Sequence, residues 1–362
     1  MDARSRFVCG ITAIAVICGP ILSAQAPDRR QLERIEQALR QEGQAVIALA
    51  DAAPTRTPPA DFSLTWHNDF LKAQNGTFVP FIVTIAPRAA QASDALLYVR
   101  AARPAAASPE SREGRRRPPA SEPPPPVYPF EEIYPVTLSD QPVRIARGFA
   151  LPAGDYQVTV VVREREREDQ RGRRRMAAVL RQPLTVPDYA TGTLATSTIM
   201  LASRLTVLSG PPPAATLGDR PYVIGTREIE PASDSMFRPS EELIVIFLVY
   251  NPTVTSDRQF DLEVEYHFFR KSRAGPDDQQ PGVPAGLFAR PGERYFNRTE
   301  SQRFNPAILG PPFDPEAGQP VMAGQGVPLA GFPEGEYRLL IRIMDRISQR
   351  SLEREVAFTV QS

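Results

Sequence analysis

Cysteine, histidine and tryptophan are almost missing from this chain: its 362 residues include two cysteines, two histidines and one tryptophan. Both cysteines, Cys9 and Cys18, lie in a segment that reads as a secretion signal, so the rest of the chain carries no thiol. Disulfides, thiol catalysis and thiolate metal sites are thereby excluded from the exported part. The histidines, His67 and His267, fall in different halves, and no His-Glu-x-x-His, Gly-x-Ser-x-Gly or P-loop pattern occurs. Excess charge is absent as well. Forty-two basic residues balance 42 acidic ones, so no global field draws the protein to nucleic acid or to an anionic membrane. Lysine is nearly missing: only Lys72 and Lys271 break a run of arginine usage that a GC-rich genome explains.

The N-terminus reads as a signal peptide over residues 1–26. Arg4 and Arg6 form a short basic start, Phe7 to Leu22 is apolar, and Ala24-Gln25-Ala26 is a small-x-small cleavage site, with cleavage after Ala24 as the alternative. The apolar stretch is 16 residues and is broken by Pro20. A spanning helix needs about 20, so no membrane span is expected once the signal is removed. A retained tether is the competing reading. An exported protein without disulfides must be held by its core, so each domain has to be large enough to bury one.

What the chain does have is one phrase used twice. Residues 151–156 read Leu-Pro-Ala-Gly-Asp-Tyr and residues 332–337 read Phe-Pro-Glu-Gly-Glu-Tyr. Each is followed by an alternating apolar run, a charged turn and a second run ending in Thr-Val. Two copies of one hairpin phrase predict two copies of one all-β module. The first spans 61–188 and the second 189–362. Residues 27–60 precede them as a helix over 28–52 and a Pro-rich linker. Leu32, Ile35, Leu39, Gly43, Val46 and Ala50 share one stripe of that helix. Packing on its own domain is favoured over self-association, because three heptads with a glycine in the seam are a weak coiled coil.

Within the first module, Phe78 to Ile85 and Ala95 to Val99 have strand length. Residues 101–127, rich in Pro, Ala, Ser and Arg, cannot bury apolar surface and are expected as a disordered insertion. The hairpin tip from Arg163 to Arg175 is almost wholly charged, which keeps strand ends from sticking to other edges. In the second module, Leu243 to Tyr250 is apolar on both faces. One face serves the core; the other must be covered by the helix, by the first module, by a long loop such as the 271–334 connection, or by a partner. Phe260 to Phe269 alternates, with Asp261, Glu263, Glu265 and His267 on the outer face. Residues 271–334, rich in Pro, Gly and Asn, are expected as a long loop.

In immunoglobulin-like sandwiches a tyrosine entering the penultimate strand bonds back across the corner, two residues before a core position. Tyr156 precedes Val158 by two and Tyr337 precedes Leu339 by two, while Gly154 and Gly335 supply backbone freedom. The phrase resembles the corner of bacterial immunoglobulin-like and carboxypeptidase-regulatory-like domains. That resemblance implies two antiparallel sandwiches and says nothing about a ligand. More loosely, Ile199 to Ser203, the long apolar strand and the closing hairpin resemble accessory sandwiches of secreted GWxTD-domain and VWFA-related proteins. Their named motifs are missing: the lone Trp66 follows Thr65, and no Asp-x-Ser-x-Ser motif occurs.

For chemistry, His67-Asn68-Asp69 offers a base and an orienting acid without a nucleophile or metal beside them, and reads as a surface histidine before a turn. His267 reads as a solvent-face residue. No catalytic, cofactor-binding or metal residue is assigned. Tyr295, Phe296 and Phe304, among Arg294 and Arg303, are the candidate surface for a ligand or partner, with plugging of the sandwich end as the bland alternative. The functional expectation is an exported, non-catalytic binding or scaffolding protein of the bacterial envelope, periplasmic or extracellular, whose partner is an envelope protein or glycan. A carbohydrate-binding module is the runner-up, and a carboxylate-based hydrolase follows it.

Overall fold

The computed structural model describes residues 29–87, 93–104, 128–166, 172–213, 216, 218–272, 287, 289–310, 313–314 and 317–362, with side chains from residue 40 onward. The expected signal peptide, the insertion from residue 105 on, and residues 167–171 of the charged tip lie outside the described residues.

The chain is all-β with one N-terminal helix, Arg29–Ala52. The first sandwich comprises β1 (Phe62–Asn68), β2 (Leu71–Ala73), β3 (Gly76–Pro87), β4 (Ser93–Ala102), β5 (Phe130–Leu138), β6 (Val143–Leu151), β7 (Gly154–Glu164) and β8 (Ala177–Val186). Sheet I runs β5-β4-β7-β8. In sheet II, β3 lies between β6 and the broken strand β1–β2. Alternation decides what is buried: Val79, Phe81, Val83 and Ile85 of β3 meet Leu97, Val99, Val158, Val160 and Val162 of sheet I in one core.

The second sandwich comprises β9 (Ala195–Thr196), β10 (Met200–Val207), β11 (Val223–Ile224), β12 (Arg227–Pro231), β13 (Met236–Phe237), β14 (Glu242–Tyr250), β15 (Leu262–Lys271), β16 (Glu293–Arg298), β17 (Gln302–Phe304), β18 (Val321–Pro328), β19 (Gly335–Asp345) and β20 (Arg350–Val360). Sheet III runs β11-β12-β10-β14-β18, with β9 also on β14. Sheet IV runs β13-β20-β19-β15-β16, with β17 also on β15. Among the described residues only the β13–β20 pairing is parallel. Leu243, Val245, Phe247 and Val249 meet Leu262, Val264, Tyr266, Phe268, Leu339, Ile341 and Ile343 in a second core.

The two sandwiches share a common set of strands, to which the second adds β11, β12 and β13. β3, β4, β6, β7 and β8 correspond to β14, β15, β18, β19 and β20, and β5 corresponds to β16 with β17. The longest connections outside the described residues fall at the same place in both, between β4 and β5 and between β15 and β16. The closing hairpins share a register: Gly154 pairs with Val186, and Gly335 with Val360. Gly154 and Gly335 adopt φ of 140° and 151°, a region that side chains with a Cβ rarely enter. Beyond them the Tyr156 hydroxyl donates to the Pro152 carbonyl at 2.9 Å, and the Tyr337 hydroxyl to the Pro333 carbonyl at 2.5 Å. Both rings are buried.

The segment 271–334 is not one long loop. It contains β16, β17, a helical turn (Pro306–Leu309) and β18. Its strands escape a sequence pattern because β16 and β17 are short and β18 is a sheet edge. That edge position tolerates Gly324, Gly326 and the terminal Pro328.

The second face of β14 is covered by the first sandwich. Ile246, Leu248 and Tyr250 join Met200, Ala202, Tyr222 and Ile229 of the second sandwich against Leu71 and Ile82, with Phe78 and Ala146 partly buried beside them. Sheets II and III thus lie back to back, and the stacking order is I, II, III, IV. On the outer face of sheet I, Val46 and Ala50 of the helix pack on Leu96, Tyr98 and Val161, and Asp51 bonds Arg100 at 2.6 Å. Among the described residues no helix is long and apolar enough to cross a membrane.

Candidate functional site

The seam between sheets II and III is where the two halves bring together residues that are distant in sequence. Hydrogen bonds knit it from both sides. The Phe70 N–H donates to the Thr198 hydroxyl at 2.8 Å, and the Lys72 N–H to the Tyr250 hydroxyl at 2.9 Å. Arg144 donates to the Pro231 carbonyl at 2.9 Å. Gly148 leaves room for both its neighbours: a Cβ there would stand 2.4 Å from the Phe78 ring of the adjacent strand and 3.2 Å from Pro221 across the seam. These contacts make the two sandwiches one body.

Along one side the seam opens into a cleft of about 440 Å³. Its floor is Ile82, Ala146, Pro221, Tyr222 and Ile229. Its walls carry three guanidinium groups, Arg144, Arg204 and Arg220, and three carboxylates, Asp219, Glu228 and Glu230. Arg220 grips Glu228 with two bonds of 2.9 and 2.7 Å, and Arg204 stands 3.8 Å from Glu230. Asp219 reaches Arg147 at 3.3 Å.

Near the cleft lies a small polar cluster. Asp69 is buried, and its Oδ2 is 3.1 Å from His67 Nε2. Its Oδ1 and the buried Tyr222 hydroxyl have no hydrogen-bond partner among the described residues. Burial, and then the Asp69 carboxylate nearby, push the Tyr222 phenol up. His67 and Asp69 were legible as a pair in sequence. Tyr222, Arg220 and Glu228 come together in the short β11–β12 region of the second sandwich, and only the packing of sheet II on sheet III brings Arg144 to them.

The aromatic group expected at the loop of the second module is not a single platform. Tyr295 and Phe296 are neighbours on β16 and point to opposite faces. Tyr295 lies on the outer face of sheet IV, 5.4 Å from the Phe269 ring. Phe296 turns inward to Phe332 and Tyr337, at 4.8 and 5.6 Å. Phe304 packs on the second core. Arg303 is held by Asp261 through two bonds of 2.8 and 2.6 Å, and Arg294 is exposed opposite Arg270.

His267 departs from its expected place in solvent. It is on the outer face of sheet IV, as alternation requires, yet its side chain is 1% exposed. The Tyr295 hydroxyl lies 3.4 Å from Nδ1 and Glu265 lies 3.3 Å from Nε2. The cover comes from the neighbouring strand β16, which a single-strand pattern does not reveal. Deeper along the same face Arg338 sits over the Phe269 ring at 4.2 Å and bonds both Glu293 and Glu355.

The two histidines are shifted oppositely. The bond to Asp69 raises His67 above 6.5, while burial lowers His267 below it. Arg144 opposes the rise at His67; Glu265 opposes the fall at His267, where Arg342 and Arg298 reinforce it. The contribution of His67 to stability is therefore complete below pH 6.5 and is lost as pH rises through its raised folded value. That of His267 is complete above pH 6.5 and is lost as pH falls through its lowered value. Melting curves between about pH 5 and 8 should show His67→Gln losing an acid-side gain and His267→Gln losing an acid-side penalty. Differences from the parent that slope the same way with pH would contradict this assignment.

No protein-family model matches the chain, and no curated protein matches it. Among solved structures, red sea bream transglutaminase is 12% identical, covers 88% of this chain and 34% of its own, and superposes with a TM-score of 0.21. Escherichia coli alpha-2-macroglobulin activated by porcine elastase is 11% identical over 84% of this chain and 24% of its own, with a TM-score of 0.18. Its native conformation gives 11%, 84%, 26% and 0.27. The chain spans between about a quarter and a third of these proteins. Likenesses this distant carry no argument about activity, and the sandwich architecture rests on the strands and registers described above.

Proposed function

We propose that the chain is an exported, non-catalytic binding or scaffolding protein of the bacterial cell envelope. The observation that carries this reading is the seam. Two sandwiches are joined back to back by an apolar cluster and by hydrogen bonds from both halves, and the cleft lies between them. Such a body presents surfaces rather than closing on a substrate, and fixed presentation lowers the ordering cost of binding. The signal-like N-terminus supports the envelope as its place of work. The reading is tested by using the full chain as bait in a native envelope extract. Envelope proteins or glycans should be retained; recovery of cytoplasmic partners alone would overturn it.

A second reading, saccharide recognition, is favoured by the balanced charge of the seam cleft.

A further inference from the structure

We infer that the cleft at the seam binds an uncharged, polyhydroxylated ligand, a saccharide segment. The inference rests on the binding reading above and assigns it a site and a ligand chemistry. Position and size suit a site: the cleft lies at the seam of the two sandwiches, and its volume of about 440 Å³ falls within the range of small-molecule pockets.

Charge decides the ligand class. An anion entering the cleft meets Asp219, Glu228 and Glu230, and a cation meets three guanidinium groups. Neither gains a net field from the lining: Arg220 is paired with Glu228 and Arg204 stands near Glu230, while Asp219 meets Arg147 and Arg144 is turned to the Pro231 carbonyl. A neutral polyol escapes this conflict. Its hydroxyls donate to carboxylate lone pairs that the arginines leave free and accept from the remaining guanidinium N–H groups. An ion pair of this kind is a fixed row of donors and acceptors, oriented before the ligand arrives.

The floor supplies the other half of sugar recognition. Ile82, Ala146, Pro221 and Ile229 form an apolar base against which the C–H face of a sugar ring can lie. Pro221 is pressed on the first sandwich over Gly148, so this base does not need to reorganise.

The test is titration calorimetry of the full chain with neutral gluco- and xylo-oligosaccharides, acidic uronate and sulfated oligosaccharides, and an unstructured neutral peptide. Two paired variants keep the net charge constant. R220A/E228A removes the bidentate pair, and R204A/E230A removes a pair whose side chains are largely exposed, so that one at least keeps the fold. A neutral oligosaccharide should bind, with affinity changing less than about twofold as salt rises, because no net charge is neutralised. Each variant that melts like the parent should lose at least about tenfold in affinity, as expected when oriented polar partners are removed. Absence of neutral saccharide binding overturns the inference. So does preference for the acidic probes with a steep salt dependence, preference for the peptide, or binding that persists in a folded variant. If no saccharide binds but an envelope protein is still retained from the extract, the ligand assignment fails and the binding function stands.

Discussion

Leu248→Glu should unfold the protein or split its melting into two transitions. Leu248 is 5% exposed in the seam, where Leu71, Ile82, Tyr189 and Tyr250 share its apolar cluster. A carboxylate there loses its hydration without gaining a partner. The penalty, together with the lost apolar contact, is about 4–6 kcal/mol. That compares with a total stability of about 5–15 kcal/mol for a typical domain. Leu248→Ala, which removes contact without adding charge, should cost about 2–5 kcal/mol. Ile246→Glu should be milder than Leu248→Glu, although both residues belong to the cluster. Ile246 borders an open trough formed with Met322, Gly324 and Gly326, through which a carboxylate can reach water. Calorimetric melting of the three variants checks the ordering. Two transitions in Leu248→Glu would show that each sandwich folds alone once the seam is lost. A single transition at the parental temperature would mean that sheets II and III do not support one another.

That seam marks the boundary of what the sequence could reveal. Alternation along β14 made it necessary that Ile246, Leu248 and Tyr250 be covered, but left four candidates for the cover: the helix, the first module, a long loop or a partner. The one that the structure shows, sheet II, depends on Phe78 and Ile82, whose own outward face reads as ordinary β-strand composition. Local chemistry was legible: Gly154, Gly335, Tyr156 and Tyr337 were identifiable because a tight corner demands particular residues within six positions. His267 was not, since its burial comes from Tyr295 on a paired strand. Of the candidate ligand surface, sequence could place Tyr295 and Phe296 side by side, yet adjacency along a strand sends them to opposite faces. Tyr222 lies far in sequence from Asp69, and no local pattern joins them.

The corner tyrosines provide a graded test of the repeat. Tyr337→Phe removes the hydroxyl that bonds the Pro333 carbonyl and should cost about 1 kcal/mol. Tyr156→Phe should cost the same, because its bond to the Pro152 carbonyl spans the same four residues. Truncation should separate the two. Tyr337 stacks on Phe358, with ring centres 5.2 Å apart and planes 14° from parallel, and contacts Phe296 and Phe332 edge-on. At the equivalent register Tyr156 faces Leu184 in place of a phenylalanine. Tyr337→Ala should therefore cost about 3–5 kcal/mol. Tyr156→Ala should lie below it by the worth of the lost aromatic pairing, about 0.5–1.5 kcal/mol. Chemical denaturation of the four variants measures each difference. Equal costs for Phe and Ala at Tyr337 would show that the ring packs no core, and a larger truncation cost at Tyr156 would show that the ring cluster around Phe332 adds nothing to the second corner.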